Sequence, residues 1–339
     1  MSEQTTDPPL TLAELRRARD AGEPLVPTAV TLAGVSLIGA DLAGLDLSGS
    51  DLSGADLTEA NLRDTRLLGS CLAGAVLSGA CLEGAELMGS DLRGADLTSA
   101  QADRAGLGRC DLRGAVLFGL HGVGATFSSS QLQDADLRTA QLRGARFREA
   151  QLHGAVLESA HLEDVELVDA EVSQAAFRNV DMRGARLRGL KGYLSADWVG
   201  VDVRNVDFSG SWLVRRHMLD ENFLAEFRAQ SSMHKKIYFL WWLTSDCGRS
   251  LYRWSLFTFV IASLYAVAYS FVAIDYGPHA SLFSPLYFSI VTFTTLGYGD
   301  VLPASGFAQL LVVTEVILGY LGLGGLLSIL ANKMARRAD

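Results

Sequence analysis

The residues best placed to do chemistry lie near the C-terminus. From Ser284 the chain reads Ser-Pro-Leu-Tyr-Phe-Ser-Ile-Val-Thr-Phe-Thr-Thr-Leu-Gly-Tyr-Gly-Asp, ending at Asp300. Ser284 followed by Pro285 predicts a helix start, a capping side chain and then a residue that needs no N–H. The apolar helix expected from there to about Thr294 is too short to cross a membrane alone. Beyond it runs a strip whose glycines, Gly297 and Gly299, suit unusual backbone angles. At membrane depth, non-helical backbone is tolerated only where it is buried in protein or lines a cavity, so the short helix must be re-entrant. The strip's chemistry would be that of a cavity lining. Glu315 is the second candidate, a carboxylate inside an apolar stretch, which by default is functional and faces protein or a water-filled cavity. It could hold the strip's surroundings or concentrate cations; the plainer alternative is a protonated or hydrogen-bonded structural side chain. The four Cys and six His show no metal-ligand spacing. There is no phosphate loop or nucleophile elbow, so an enzyme is disfavoured and no cofactor is expected.

Two apolar stretches must position these residues. Trp254 to Ile274 is 21 residues without a charge, and at 1.5 Å per residue it reaches about 32 Å, enough for a hydrocarbon core. Gly306 to Ala331 carries Glu315 as its only charge. Lys235, Lys236, Arg249 and Arg253 precede the first stretch, and Lys333, Arg336 and Arg337 follow the second. Between Trp254 and Asn332 there is no Lys or Arg. The positive-inside rule then places both chain ends in the cytosol and the intervening loop outside the cell membrane. Met1 to Pro9 lacks a signal-peptide pattern, in agreement with that orientation. Tyr238, Trp241 and Trp242 beside Lys235 and Lys236 suit a membrane interface.

Thr292-Phe293-Thr294-Thr295-Leu296-Gly297-Tyr298-Gly299-Asp300 resembles the selectivity filter of potassium channels, with Leu296 where Val is usual. The resemblance, to a prokaryotic two-transmembrane channel, implies that carbonyls of Thr295, Leu296, Gly297 and Tyr298, with the Thr295 hydroxyl, replace the water shell of K⁺ as the permeant ion. Gly299 completes the strip. Thr294, Tyr287, Phe288 and Asp300 would support the filter and its outer mouth, with Tyr298 packed against Tyr287 and Phe288. One chain supplies one strip, so the family's ring implies three further identical subunits, a homotetramer in the lipid bilayer. Val291 stands where one well-known bacterial channel has Glu. Asp300 therefore has no carboxylate partner there, and must find another or face the mouth. Gly319 matches the hinge glycine of related channels, a gating candidate; Gly322, Gly324 and Gly325 follow it, and close helix packing is the competing reading. No arginine-rich sensor helix is present.

The N-terminal half obeys a different rule. From Leu32 to Leu187 every fifth residue is apolar except Gly122, and the 32 positions hold 25 Leu. A small residue sits two places before, Ala in 20 cases and Ser in 4, and Gly sits two places after in 18. A period of five fits neither a helix face nor a strand face. It fits a coil that turns a corner every five residues with the Leu inside. Asp51-Leu52-Ser53-Gly54-Ala55 and Asp56-Leu57-Thr58-Glu59-Ala60 resemble pentapeptide repeats. The resemblance implies a right-handed quadrilateral β-helix of about eight coils. The period slips after Leu187, where Val203, Phe208 and Leu213 fall one residue out of phase. Ala102 and His121-Gly122-Val123-Gly124 are expected to mark a bulge or kink. Thr11, Glu14 and Gly22 predict a capping helix at about residues 11–21, and Val214 to Gln230 reads as an amphipathic cap or linker. Cys71 and Cys81 fall on opposite sides of a square coil, as free thiols.

Composition agrees only after the chain is cut. The 339 residues carry a net charge of −9 and a mean hydropathy of +0.21. Val30 to Gly210 hold 25 acidic and 16 basic residues, and the remainder balances at 13 each. The expected class is mixed: an N-terminal segment (1–29), a pentapeptide-repeat β-helix (30–213), a linker with interfacial helices (214–253) and an α-helical two-transmembrane pore domain (254–339). Some repeat proteins of this type resemble DNA and bind topoisomerases. Here Arg143, Arg146, Arg148, Arg183, Arg186 and Arg188 interrupt the acids, and no nucleic acid is expected. The expected function is a potassium channel subunit whose cytosolic repeat domain serves regulation or assembly, through a ligand or protein partner not legible in the sequence. The alternative is a membrane-anchored interaction scaffold.

Overall fold

The computed structural model describes residues 17, 20, 30–277 and 280–338. The N-terminal capping helix expected at about 11–21 lies almost wholly outside them. The chain divides into two compact units between Ala225 and Glu226.

The first unit is a square coil. Parallel backbone pairings join one residue in every five to the one twenty positions on, from Thr31 with Asp51 to Glu171 with Lys191. Four five-residue sides therefore make one turn, and neighbouring turns stack at about the 4.8 Å strand spacing. The Leu column and the small residue two places before it point inward and are buried almost throughout.

Backbone hydrogen bonding explains the residue types. Within the pentapeptide around Leu52, the amides of Asp51, Leu52 and Gly54 bond to adjacent turns, at 2.9, 2.7 and 2.9 Å, and Ala55 N–H closes the corner on Leu52 O at 3.0 Å. Only the Ser53 amide is left, and Asp51 Oδ1 accepts it at 3.0 Å. Asp46, Asp56, Asp91, Asp96, Asp111 and Asp136 do the same for the amide two residues on. Asp or Asn before the Leu thus supplies the acceptor that the coil-to-coil ladder lacks. Inward hydroxyls are satisfied too: Thr65 and Ser70 donate to Leu42 O at 2.9 Å and Leu47 O at 2.8 Å. Each corner takes φ near +60°, whether it is Gly54 (62°) or Glu59 (56°).

The expected kink is absent. Gln101 pairs with His121 and His121 with Gln141 in unbroken register. A Cβ at Gly122 would lie 3.0 Å from Leu142 Cδ2, so neighbouring Leu side chains fill the missing rung. The slip after Leu187 is real and local. A 3₁₀ turn at Tyr193–Ser195 adds one residue to a corner, and pairing resumes at a spacing of twenty-one, from Ala176 with Asp197 to Arg186 with Asp207. Trp198 then takes the inward position. It stacks on Phe177 at 4.4 Å, and its indole N–H donates to Tyr193 O at 2.8 Å. Leu213 is not a further rung, because it lies in helix α1 (Trp212–Gln230) and is half exposed. Helix α1 closes this end of the coil: Val214 and Met218 enter the Leu core, and Asn222 Oδ1 accepts the Gly200 amide at 2.6 Å. Its burial is not amphipathic in the expected sense, since Leu219 and Phe223 stay exposed.

The second unit holds α2 (Ser232–Ser245), α3 (Leu251–Tyr269), β1 (Ile274–Asp275), α4 (Ser284–Phe293), β2 (Leu302–Pro303) and α5 (Gly306–Ala338). Among the described residues, two helices are long and apolar enough to cross a membrane, Leu251–Tyr269 and the Gly306–Ala331 part of α5. Helix α3 starts three residues earlier than the uncharged run, where Ser250 Oγ accepts the Arg253 amide at 3.2 Å. It ends five residues earlier, because the chain turns to form β1, which pairs antiparallel with β2 as Ile274 with Pro303. Absence of charge marks apolarity, and a turn decides where the helix stops. Helix α4 packs against both α3 and α5.

Candidate functional site

The strip grows out of the end of α4. Its first helical residue is Ser284 itself, with Phe283 at the cap position and Pro in the first turn. Ser284 Oγ is not the cap but accepts the Ser281 amide at 2.8 Å. At the other end, Thr294 Oγ1 donates to Ile290 O at 2.7 Å, and the amides of Thr295 and Leu296 bond to Thr292 O and Val291 O, both at 3.0 Å. These bonds hold the last carbonyls of α4 and direct the chain out of the helix.

The backbone then alternates. Thr295, Gly297 and Gly299 have φ of 60°, 45° and 76°, whereas Leu296 and Tyr298 are not in the positive region. Alternating hand turns successive carbonyls toward one side rather than to opposite sides as in a strand. Thr295 Oγ1 donates its proton to Thr294 O at 2.7 Å, which leaves its lone pairs free. Leu296 and Tyr298 are 60% and 67% exposed in the single chain.

Asp300 has a partner: the Tyr287 hydroxyl donates to its Oδ2 at 3.0 Å. Phe288 does not sit where the sequence reading put it. It is buried against Tyr269, centroid to centroid 4.9 Å, and against Tyr276 at 6.4 Å, in a cluster with Val301. One residue on a helix is a turn of about 100°, so Tyr287 and Phe288 face different neighbours.

Glu315 is fully buried among α3, α4 and α5. The Tyr269 hydroxyl donates to Oε2 at 2.6 Å, and Oε1 is hydrogen-bonded to Ser289 Oγ. Ser289 Oγ also lies 2.7 Å from Ala262 O. Neither Tyr269 nor Ser289 was singled out by the sequence. They stand 46 and 26 residues from Glu315, and no periodicity connects them. The one available signal was Ser289 itself, a hydroxyl among apolar neighbours in mid-helix, which must find an acceptor.

Residues 238–336 match the ion-channel family. Residues 28–69, 70–109, 123–158 and 155–189 match the pentapeptide repeats, in eight copies. The chain joins pentapeptide repeats to an ion-channel domain. Among solved structures, HetL, a pentapeptide repeat protein involved in heterocyst differentiation regulation from the cyanobacterium Nostoc sp. strain PCC 7120, is 28% identical; the match covers 59% of this chain and 96% of HetL, with a TM-score of 0.35. QnrB1, a plasmid-mediated fluoroquinolone resistance protein, is 18% identical over 53% of this chain and 94% of its own, with a TM-score of 0.35. A further Nostoc PCC 7120 pentapeptide repeat protein, alr5209, is 35% identical over 37% of this chain and 84% of its own, with a TM-score of 0.18. No curated protein matches the chain significantly.

Within the ion-channel domain, Gly319 serves close packing. A Cβ there would collide with the Phe293 carbonyl at the end of α4, and one at Gly325 would collide with the Trp254 ring. The Trp254 indole N–H donates to Gly322 O at 2.8 Å. Helix α5 runs unbroken past all of them. In the repeat domain, charge is locally neutralised. Arg93, Arg113, Arg138, Arg183 and Arg204 each reach back to the Asp two residues before, at 2.6 Å. These contacts hold Asp91, Asp111 and Asp136 below the usual carboxylate range, chiefly through the arginine hydrogen bond. His161, Glu163 and Asp181 come together closely enough to hold a metal ion. Arg183 already takes both carboxylates, at 2.6 and 3.5 Å, and supplies the positive charge that a cation would bring.

Proposed function

We propose that this chain is one subunit of a potassium-selective channel in the cell membrane, with four copies placing four Thr295–Gly299 strips around one axis. The observation that carries the reading is the TTLGYGD strip leaving α4, between two long apolar helices, with positive φ at every second residue. Carbonyls turned to one side from four copies, with the unblocked Thr295 oxygen, form rings that can exchange for the water shell of K⁺. Tyr287 anchors the end of the strip through Asp300. Helix α4 would be the re-entrant element, and Leu296 and Tyr298, exposed in one chain, would meet neighbouring subunits. Residues 254–339 are the pore domain on this reading, and 214–253 link it to a cytosolic repeat domain that serves assembly or regulation. K⁺ is the permeant ion, no other cofactor is required, and no catalytic residue is assigned.

The test is ion flux into vesicles reconstituted with the purified protein. K⁺ should pass far better than Na⁺, and equal permeability of the two would refute selectivity. Gly297→Ala should abolish flux while the repeat domain still unfolds as in the wild type. A protein that never conducts but still captures a binding partner on its repeats would be the membrane-anchored scaffold instead.

A further inference from the structure

The Glu315 cluster carries an inference that rests on this channel reading and deepens it. The side chain is 0% exposed, and no Lys or Arg occurs between Trp254 and Asn332. A buried carboxylate without a cation is strongly disfavoured. The hydrogen bonds resolve the difficulty by counting protons. The Tyr269 hydroxyl has one, and it goes to Oε2 at 2.6 Å. The Ser289 hydroxyl also has one, yet Oγ faces two acceptors, Ala262 O at 2.7 Å and Glu315 Oε1. With Glu315 ionised, one of those two oxygen pairs has no proton between its members. With Glu315 as the neutral acid, Oε1–H donates to Ser289 Oγ, and Ser289 donates onward to Ala262 O. Every polar atom in the chain from Tyr269 to Ala262 is then satisfied, and no net charge is buried.

We propose that Glu315 is a positioning residue that works as a neutral carboxylic acid. One carboxyl group ties α5 to α4 through Ser289 and to α3 through Tyr269. It thereby sets the orientation of α4, whose last turn directs the Thr295–Gly299 strip. Its role is donor and acceptor, not charge, so it does not concentrate cations.

Glu315→Gln separates these roles, because its amide keeps an acceptor oxygen for Tyr269 and an N–H donor for Ser289 without being able to ionise, at the cost of one extra N–H. The expected result is K⁺ conductance and K⁺-over-Na⁺ preference close to wild type. Glu315→Leu leaves the Tyr269 hydroxyl without its acceptor and Ser289 bonded to Ala262 O alone, cutting both ties to α5, and is expected to lower selectivity on the order of tenfold. Ser289→Ala should fall in the same direction. If Glu315→Gln loses as much as Glu315→Leu, the charged form is the working one and the proposal fails; if Glu315→Leu behaves as wild type, the clamp is not needed and it fails as well. A measurement without current guards against a variant that does not assemble. The infrared difference between wild type and Glu315→Gln at neutral pH should contain the carbonyl stretch of a protonated carboxylic acid, and a carboxylate band in its place would overturn the assignment. That band is independent of conduction. A protonated Glu315 in a protein that passes no K⁺ would refute the channel reading and leave the protonation standing.

Discussion

Glycine does opposite work in the two units. At the coil corners it supplies a backbone angle: Gly54 sits at φ 62° with open space where a Cβ would go. In α5 it supplies room: Gly319 is helical, and its missing Cβ makes way for the Phe293 carbonyl. The apolar side chains differ in the same way. The Leu column of the coil is covered by its own chain, turn upon turn. Leu310, Ile317, Leu321 and Leu327 of α5 are more than half exposed in the single chain. The coil is therefore complete within one polypeptide, whereas the helical unit leaves its apolar faces for lipid or further copies to cover.

This contrast can be broken in order of effect. Leu97→Ala removes a fully buried rung and should destabilise the coil by about 2–5 kcal/mol, read from denaturant unfolding. A loss no larger than that of a surface substitution would mean that the coil repacks and is not complete in itself. Gly319→Ala should cost about 1–3 kcal/mol through overpacking, seen as a lower thermal midpoint in detergent. Gly324→Ala is its control, since nothing lies near that position, and it should be neutral or slightly stabilising. Equal effects at the two sites would show that Gly319 is there to bend and not to make room. Gly54→Ala should cost about 1 kcal/mol from the left-handed angle alone. Glu59 occupies the same kind of corner, so Gly54→Asn should recover most of the loss.

The smallest effect expected is that of pH. Asp91, Asp111 and Asp136 titrate below their ordinary range in the folded coil. A group depressed on folding contributes stability above its unfolded pKa of about 3.9 and loses it as pH falls through the folded value. The coil's thermal midpoint should hold steady from neutral pH down to that range and decline below it. Added salt should reduce the decline, because the pairs are exposed. A midpoint that rises on acidification would remove the arginine pairs from the account.

Much of the coil was legible in the sequence for one reason. Its partner spacing is built into its period, so knowing the five-residue rule fixes which residues stack. The reading still missed why Asp precedes the Leu, because that depends on which amide the ladder leaves over, and Ser53 shows it only once the turns are stacked. It also put a kink at Gly122, where neighbouring Leu side chains close the gap.

The strip was legible as a motif, but its supports were not. Sequence alone determined that a glycine-alternating segment follows a short apolar helix between two long ones, because composition and local spacing carry that information. Only the tertiary structure decided that Tyr287 holds Asp300, that Phe288 turns to Tyr269, that Gly319 receives the end of α4 and that Glu315 meets Ser289 and Tyr269. These are contacts between elements of different period and direction. Their partners are set by how three helices pack, and packing is not written in the spacing of residues along the chain.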